Sequence, residues 1–167
     1  HVSGPSRLTL PAPNAPSEAP GTMRDLSITV DTTVTLALEQ FARQQGLTQA
    51  SVLQGLFALL LARLSQLDEI VIGSVRNGRS SQLPGIDKAL GLFIDTLPQR
   101  LALAPGESLV QWLRTQQTEQ SEQDEHAHLG LMGIQALAGM AGQAMFEALF
   151  VFENYPIEHS PEGFGTL

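Results

Sequence analysis

The stretch from residue 47 to residue 75 constrains the fold most. Val52, Leu53, Leu56, Phe57, Leu59, Leu60 and Leu64 fall all around a helix spanning 49–66. Little polar face is left, so the spacing predicts a helix buried nearly all round. Three residues later comes EIVIGSV, at 69–75. Its β-branched, apolar character predicts a buried strand. A chain that runs from such a helix straight into such a strand must lay helices on a sheet, which places it in the α/β class. Hydrophobic residues make up 43% and charged residues 16%, enough apolar surface for a core. Aromatics are only 5%, so Leu, Ala, Val and Ile must fill most of it.

The remaining elements follow from caps and breakers. Residues 1–22 hold five prolines and read as an extended linker, because proline fixes φ and removes a donor. The folded part would then occupy 23–167. LSITV at 26–30 alternates as a short strand. Asp31, Thr32 and Thr33 offer capping oxygens for a helix over 33–45, which Gly46 can stop. Thr48 caps the apolar helix. A polar loop begins at Asn77, and residues 91–101 read as extended, with Pro98 at an edge or bend. Ser108 caps a helix to about Glu125 whose later turns are polar all round, so they should be solvent-exposed or lie at a boundary. Residues 129–138 predict a short helix and 146–152 a last strand. Trp112, spaced with Leu109 and Leu113, reads as core, and Arg100 as exposed.

Several functions lack the residues they need. Nine basic and seventeen acidic residues give a net charge of −8, without the cationic footprint of a nucleic-acid binder. There are no cysteines, hence no disulfide and no thiolate nucleophile or ligand. Gln54, Gly55 and Arg63 break the longest apolar run, so no membrane span is expected. The polar residues 1–7 do not read as a secretory leader. His126 and His128 are two apart, a poor spacing for one metal on a helix. No hydrolase elbow, phosphate loop or dinucleotide fingerprint is present. Asp87 and Asp95 remain candidate acid/base carboxylates, each also consistent with a turn or surface role.

Four stretches in order narrow this further. They are LTQASVLQGLFALLLARLSQLDEIVIGSVRNGR (47–79), LPGIDKALGLFIDTLPQRL (83–101), EHAHLGLMGIQALAG (125–139) and MFEALFVFENYP (145–156). Together they resemble the C-terminal lobe of nonribosomal peptide synthetase condensation domains. That family has a strand ending in a Ser-Gly-Arg-like turn, then Leu-Pro-Gly-Ile and Gly-Leu-Phe-Ile-Asn-Thr-Leu-Pro. A helix ending near His-Glu-His-Thr-Pro and a strand ending Val-Phe-Glu-Asn-Tyr-Pro follow. The chain departs at Asp95, where the family has Asn, and at Asn77, where Ser is common. Ala127, Leu129 and Gly130 also replace Glu, Thr and Pro.

The resemblance implies that 23–167 is one incomplete C-terminal lobe of a chloramphenicol acetyltransferase-like two-lobed α/β sandwich, a mixed sheet with flanking helices. It implies peptide-bond formation between a carrier-bound acyl or peptidyl thioester and an aminoacyl amine. GLFIDTLP favours this reaction over epimerization or heterocyclization. The family's catalytic His-His-x-x-x-Asp-Gly belongs to the other lobe and is absent here, so the chain alone should be inactive. The implied wall of the tunnel comprises Ser74, Asn77, Arg79, Phe93, Asp95 and Thr96, with Arg79 bracing the loop. No cofactor binds directly; phosphopantetheine rides on partner carrier domains. The implied partners are the N-terminal lobe, donor and acceptor peptidyl carrier domains and adjoining adenylation domains, in the cytoplasm. The fragment is expected to self-associate. Two other readings stay open: a non-catalytic module that binds carriers, and a stand-alone acyltransferase of the same fold.

Overall fold

Local capping chemistry sets the helices. The computed structural model describes residues 24–77, 85, 88, 90, 91 and 93–153. Helix α1 spans Thr32–Gln45, and the Asp31 carboxylate accepts from the Thr33 amide. The Thr33 side chain first, and the Thr33 amide second, favour the charged form and hold the Asp31 carboxyl below its ordinary value. Gly46 ends α1 at φ 68°, a conformation costly for residues with a Cβ. Helix α2 spans Gln49–Ser65, capped by Thr48 on the Ser51 amide. Helix α3 spans Leu109–Glu125, capped by Ser108 on the Gln111 amide. A 3-10 turn at Ala127–Leu129 leads into α4, Gly130–Leu137.

Among the described residues, three strands form one sheet in the order β2-β1-β3. Strand β1 is Glu69–Asn77, β2 is Ile94–Ala102 and β3 is Leu149–Phe150. β1 pairs antiparallel with β2 along its full length, from Glu69 opposite Ala102 to Asn77 opposite Ile94. It pairs parallel with β3 through Gly73 and Ser74. This is the mixed sheet with flanking helices that the sequence implies. β1 runs two residues beyond the expected 69–75 because Arg76 and Asn77 find ladder partners in Asp95 and Ile94.

Leu97, Gln99 and Leu101 alternate inward along β2 and join Ile70 and Ile72 of β1 under the helices. The core cluster adds Ala42, Val52, Ala58, Leu61, Ala62, Trp112 and Leu113. Trp112 is 4% exposed and donates its indole N–H to the Ala102 carbonyl at 2.7 Å. It is core, as its spacing indicates. Helix α3 also ties down the α1–α2 turn. Gln117 accepts from the Thr48 amide at 2.8 Å and donates to the Gly46 carbonyl at 3.0 Å. Arg114 donates to the Gln45 carbonyl at 3.0 Å. Backbone groups orphaned at the helix ends are thereby satisfied. Arg100 is exposed and pairs with Glu69 at 2.6 Å, which lowers the Glu69 carboxyl and raises the guanidinium.

Three expectations need correction. Residues 26–30 make no strand, because no ladder partner lies beside them among the described residues. Leu26 and Ile28 are exposed. Helix α2 is not buried all round. Small residues Gly55, Ala58 and Ala62 bring one face close to its neighbours, while Leu56, Leu60 and Leu64 stay exposed on another. A Cβ on Gly55 would lie 2.2 Å from Leu113 Cδ2, which shows how close that approach is. The strand expected over 146–152 shrinks to two paired residues, since only Gly73 and Ser74 of β1 meet it. The linker at 1–22, the loop residues 78–84 and the Asn-Tyr-Pro segment lie outside the described residues.

Gly73 is required by packing. A Cβ there would lie 2.4 Å from the Phe146 ring, which covers β1 on the face away from α2. Gly73→Val should therefore destabilise the fold by about 1–3 kcal/mol through overpacking. Urea denaturation followed by Trp112 fluorescence measures this, and an unchanged midpoint would show that Phe146 moves aside at no cost.

Candidate cleft wall

The β1–β2 ladder brings the candidate residues together. Arg76 lies opposite Asp95, Val75 opposite Thr96 and Asn77 opposite Ile94. Asn77 and Asp95, far apart in sequence, thus sit at the same end of two adjacent strands. The Asp95 carboxylate accepts from the Thr96 amide at 2.8 Å. Asp95, Thr96 and Phe93 are half-buried. Arg79, Asp87 and the side chain of Asn77 lie outside the described residues.

Ser74 turns toward the interior. It is 2% exposed, beneath α2, and its hydroxyl accepts from Gln54 Nε2 at 3.0 Å. Its side chain serves the interior because the alternation along β1 puts it on the same face as Ile70 and Ile72.

A buried polar chain runs from Ser74 to the end of the wall, and sequence reasoning missed it. Gln54 Nε2 also donates to Gln99 Oε1 at 2.9 Å. The same oxygen accepts from Arg76 Nη2 at 3.0 Å. Gln54 and Gln99 are 3% and 1% exposed. Arg76 continues to α3, donating to the Gln120 carbonyl at 3.3 Å, to Gln123 Oε1 at 3.4 Å and to the Asp124 carboxylate. Glutamines inside otherwise apolar segments, Gln54 in α2 above all, were the only signal for it. A buried amide needs partners, and none was adjacent in sequence.

The other chemical candidates do not converge. His126 and His128 stand with ring centroids 6.4 Å apart. Among the described residues, no group of three His, Asp or Glu side chains is arranged to hold a metal. No helix there is long and apolar enough to cross a membrane. An apolar cleft of about 270 Å³ lies beside Leu97 and Pro98, between β2 and Ile134 of α4. Ser74, Phe93, Asp95 and Thr96 do not line it.

A mixed three-stranded sheet with flanking helices and polar residues gathered at one end is the class of protein these features define. Known proteins make the class specific. The condensation domain family model matches residues 3–166. The chain belongs to the condensation domain family, of the kind found in nonribosomal peptide synthetases.

A linear gramicidin synthase from Brevibacillus parabrevis is 40% identical over 141 residues, covering 84% of this chain and 3% of that protein. Vanchrobactin synthetase VabF from Vibrio anguillarum is 43% identical over 123 residues, covering 74% of the chain and 4% of that protein. The chain thus spans a small part of each relative. The first condensation domain of the calcium-dependent antibiotic synthetase, with a bound substrate analogue, superposes with a TM-score of 0.58 at 21% identity. The match covers 71% of this chain and 26% of that one. The condensation domain of the Monacolin K polyketide synthase MokA gives 0.55 at 18% identity, covering 70% of this chain and 26% of that one. These likenesses establish the shared fold.

The polar chain yields a non-additive prediction. Gln99→Leu should cost about 2–3 kcal/mol, because it strands buried donors on Gln54 and Arg76. Adding Gln54→Leu should recover part of that, so the double variant is more stable than the two losses summed. Chemical denaturation of the four proteins checks this, and strict additivity would show that the amides do not act as a unit.

Proposed function

We propose that this chain forms one wall of the cleft in which a condensation domain makes a peptide bond. The amine of a carrier-bound aminoacyl group attacks the thioester carbonyl of a carrier-bound acyl or peptidyl group. The C–N bond forms, the C–S bond breaks, and the thiol of the donor's phosphopantetheine arm leaves with a proton. That arm is borne by the partner carrier domain as part of the substrate. Because a thioester is already activated, holding amine and carbonyl at contact distance supplies much of the rate.

The family match over residues 3–166 carries this reading. The register that gathers Asn77, Asp95 and Thr96 at one end of the β1–β2 ladder supports a shared wall edge. Phe93, Asp95, Thr96, Asn77 and Arg79 would contribute to it, with Asp95 as a polar group near the reacting amine or the pantetheine. Ser74 would support the wall from behind. The remaining partners would be the N-terminal lobe carrying the His-His-x-x-x-Asp-Gly motif, donor and acceptor carrier domains, and adenylation neighbours in the cytoplasm. The histidine of that motif would orient or deprotonate the amine.

The isolated chain should form no peptide from loaded carrier domains, whereas the synthetase that carries it should. Mass spectrometry of the carrier-bound products tests both. Turnover by the chain alone would place the proton-handling group within these residues and overturn the division of labour. Failure of the intact synthetase with a sound His-His motif would favour a non-catalytic carrier-binding module.

The chain should also self-associate in isolation. Leu56, Leu60 and Leu64 form an exposed stripe along α2, and β3 has no outer partner among the described residues. Light scattering should give a mass above the 17.9 kDa of one chain as concentration rises. A constant monomer mass would count against it.

A further inference from the structure

We propose that Arg76 and Asp124 form a positioning clamp that fixes the Asp95 end of the wall to α3 and keeps the Arg76 guanidinium away from Asp95. This rests on the wall reading above. It adds two residues to which the family resemblance assigns no role.

Three observations carry it. The Arg76 side chain is only 9% exposed, and its guanidinium reaches β2 through Gln99 and α3 through Gln120, Gln123 and Asp124. Its register partner across the ladder is Asp95. Residues directly opposite in an antiparallel pair have Cβ atoms about 5 Å apart on one face, so Asp95 is the carboxylate local geometry offers Arg76. The structure shows a different pairing. Arg76 is bonded to Asp124, and the Asp95 carboxylate takes the Thr96 amide instead.

The chemistry explains why the choice matters. Arg76 ends a chain of buried amides that aims its planar fork outward from Gln99 toward α3. Asp124 is 53% exposed and accepts that fork at the last turns of the helix. With the guanidinium engaged there, the Asp95 carboxylate is not taken up by its cross-strand neighbour. This is also the position where the family carries neutral Asn. A clamp that holds the cation on α3 lets an aspartate stand at the wall without being absorbed into a structural ion pair. It also links the wall to the helix that leads into His126.

The test has two arms. In the first, hydrogen exchange is followed by mass spectrometry on the 167-residue chain. Asp124→Asn should speed exchange in peptides covering 75–77 and 94–97 by about tenfold, the effect of losing a charge-assisted bond, and leave 70–72 unchanged. Arg76→Met should act the same way and more strongly. Because Asp124 is half exposed, its variant keeps the clamp testable even if Arg76→Met fails to fold. Unchanged exchange at 75–77 and 94–97 in Asp124→Asn, or a uniform rise including 70–72, would overturn the clamp.

The second arm uses the synthetase that carries the chain. Asp124→Asn should lower kcat about tenfold with KM for the loaded carriers unchanged, as expected when a group is misplaced and not merely lost from binding. In a background of Asp95→Asn, the same substitution should have little further effect on kcat. Multiplying losses in the double variant would overturn the claim that the clamp acts through Asp95. If the wild-type synthetase makes no peptide bond at all, the wall reading fails, while the exchange arm still decides whether the clamp exists.

Discussion

Strand β1 is the element on which the rest depends, and the constraint is that one face of it must serve two chemistries. Its first half presents Ile70 and Ile72 to α2 and α3, where they are almost wholly buried. Its second half presents Ser74 and Arg76 to the same helices. Apolar burial is non-directional and can be met by many neighbours. Buried hydroxyl, amide and guanidinium groups need particular partners at hydrogen-bond distance. Gln54 and Gln99 meet that need, and they do so only if α2, β1 and β2 keep one relative placement. The polar chain therefore fixes the geometry that the apolar cluster merely favours.

That arrangement links fold to function. The apolar end of the sheet anchors to Trp112 and Leu113, and the polar end carries Asp95 and Thr96. A cleft wall must be held firmly enough to position reactants, yet its surface must remain polar. Placing the transition within a single strand achieves both. Helix α3 spans the same division: it is core at Trp112, clasps the α1–α2 turn through Arg114 and Gln117, and receives Arg76 near Asp124. Its polar later turns, which read in sequence as exposed or at a boundary, include the acceptors that hold the strand end.

The exposed leucines of α2 mark the opposite situation. Leu56, Leu60 and Leu64 repeat at helical spacing on a face that no described residue covers. Leu26 and Ile28, apolar and alternating, likewise lie without a ladder. Both patterns are written for a larger structure than the described residues provide, in keeping with a chain that spans about a quarter of the solved condensation domains it resembles.

Much was legible in sequence because it depends on nearby residues. Asp31, Thr48 and Ser108 cap their helices by bonding amides two or three residues on, and Gly46 stops a helix by its own conformational freedom. The spacing of Trp112 with Leu113 declares a buried face, and four motifs in order declare the family. Tertiary structure alone decided which strand pairs with which and in what register. That register set Asp95 opposite Arg76, turned Ser74 inward and left β3 two residues long. It also joined Gln54 to Gln99 across 45 residues of chain. A helix cap is chosen by the next turn of backbone, so a short window contains it. The partner of a buried polar side chain is chosen by where distant elements come to rest, and no local pattern encodes that.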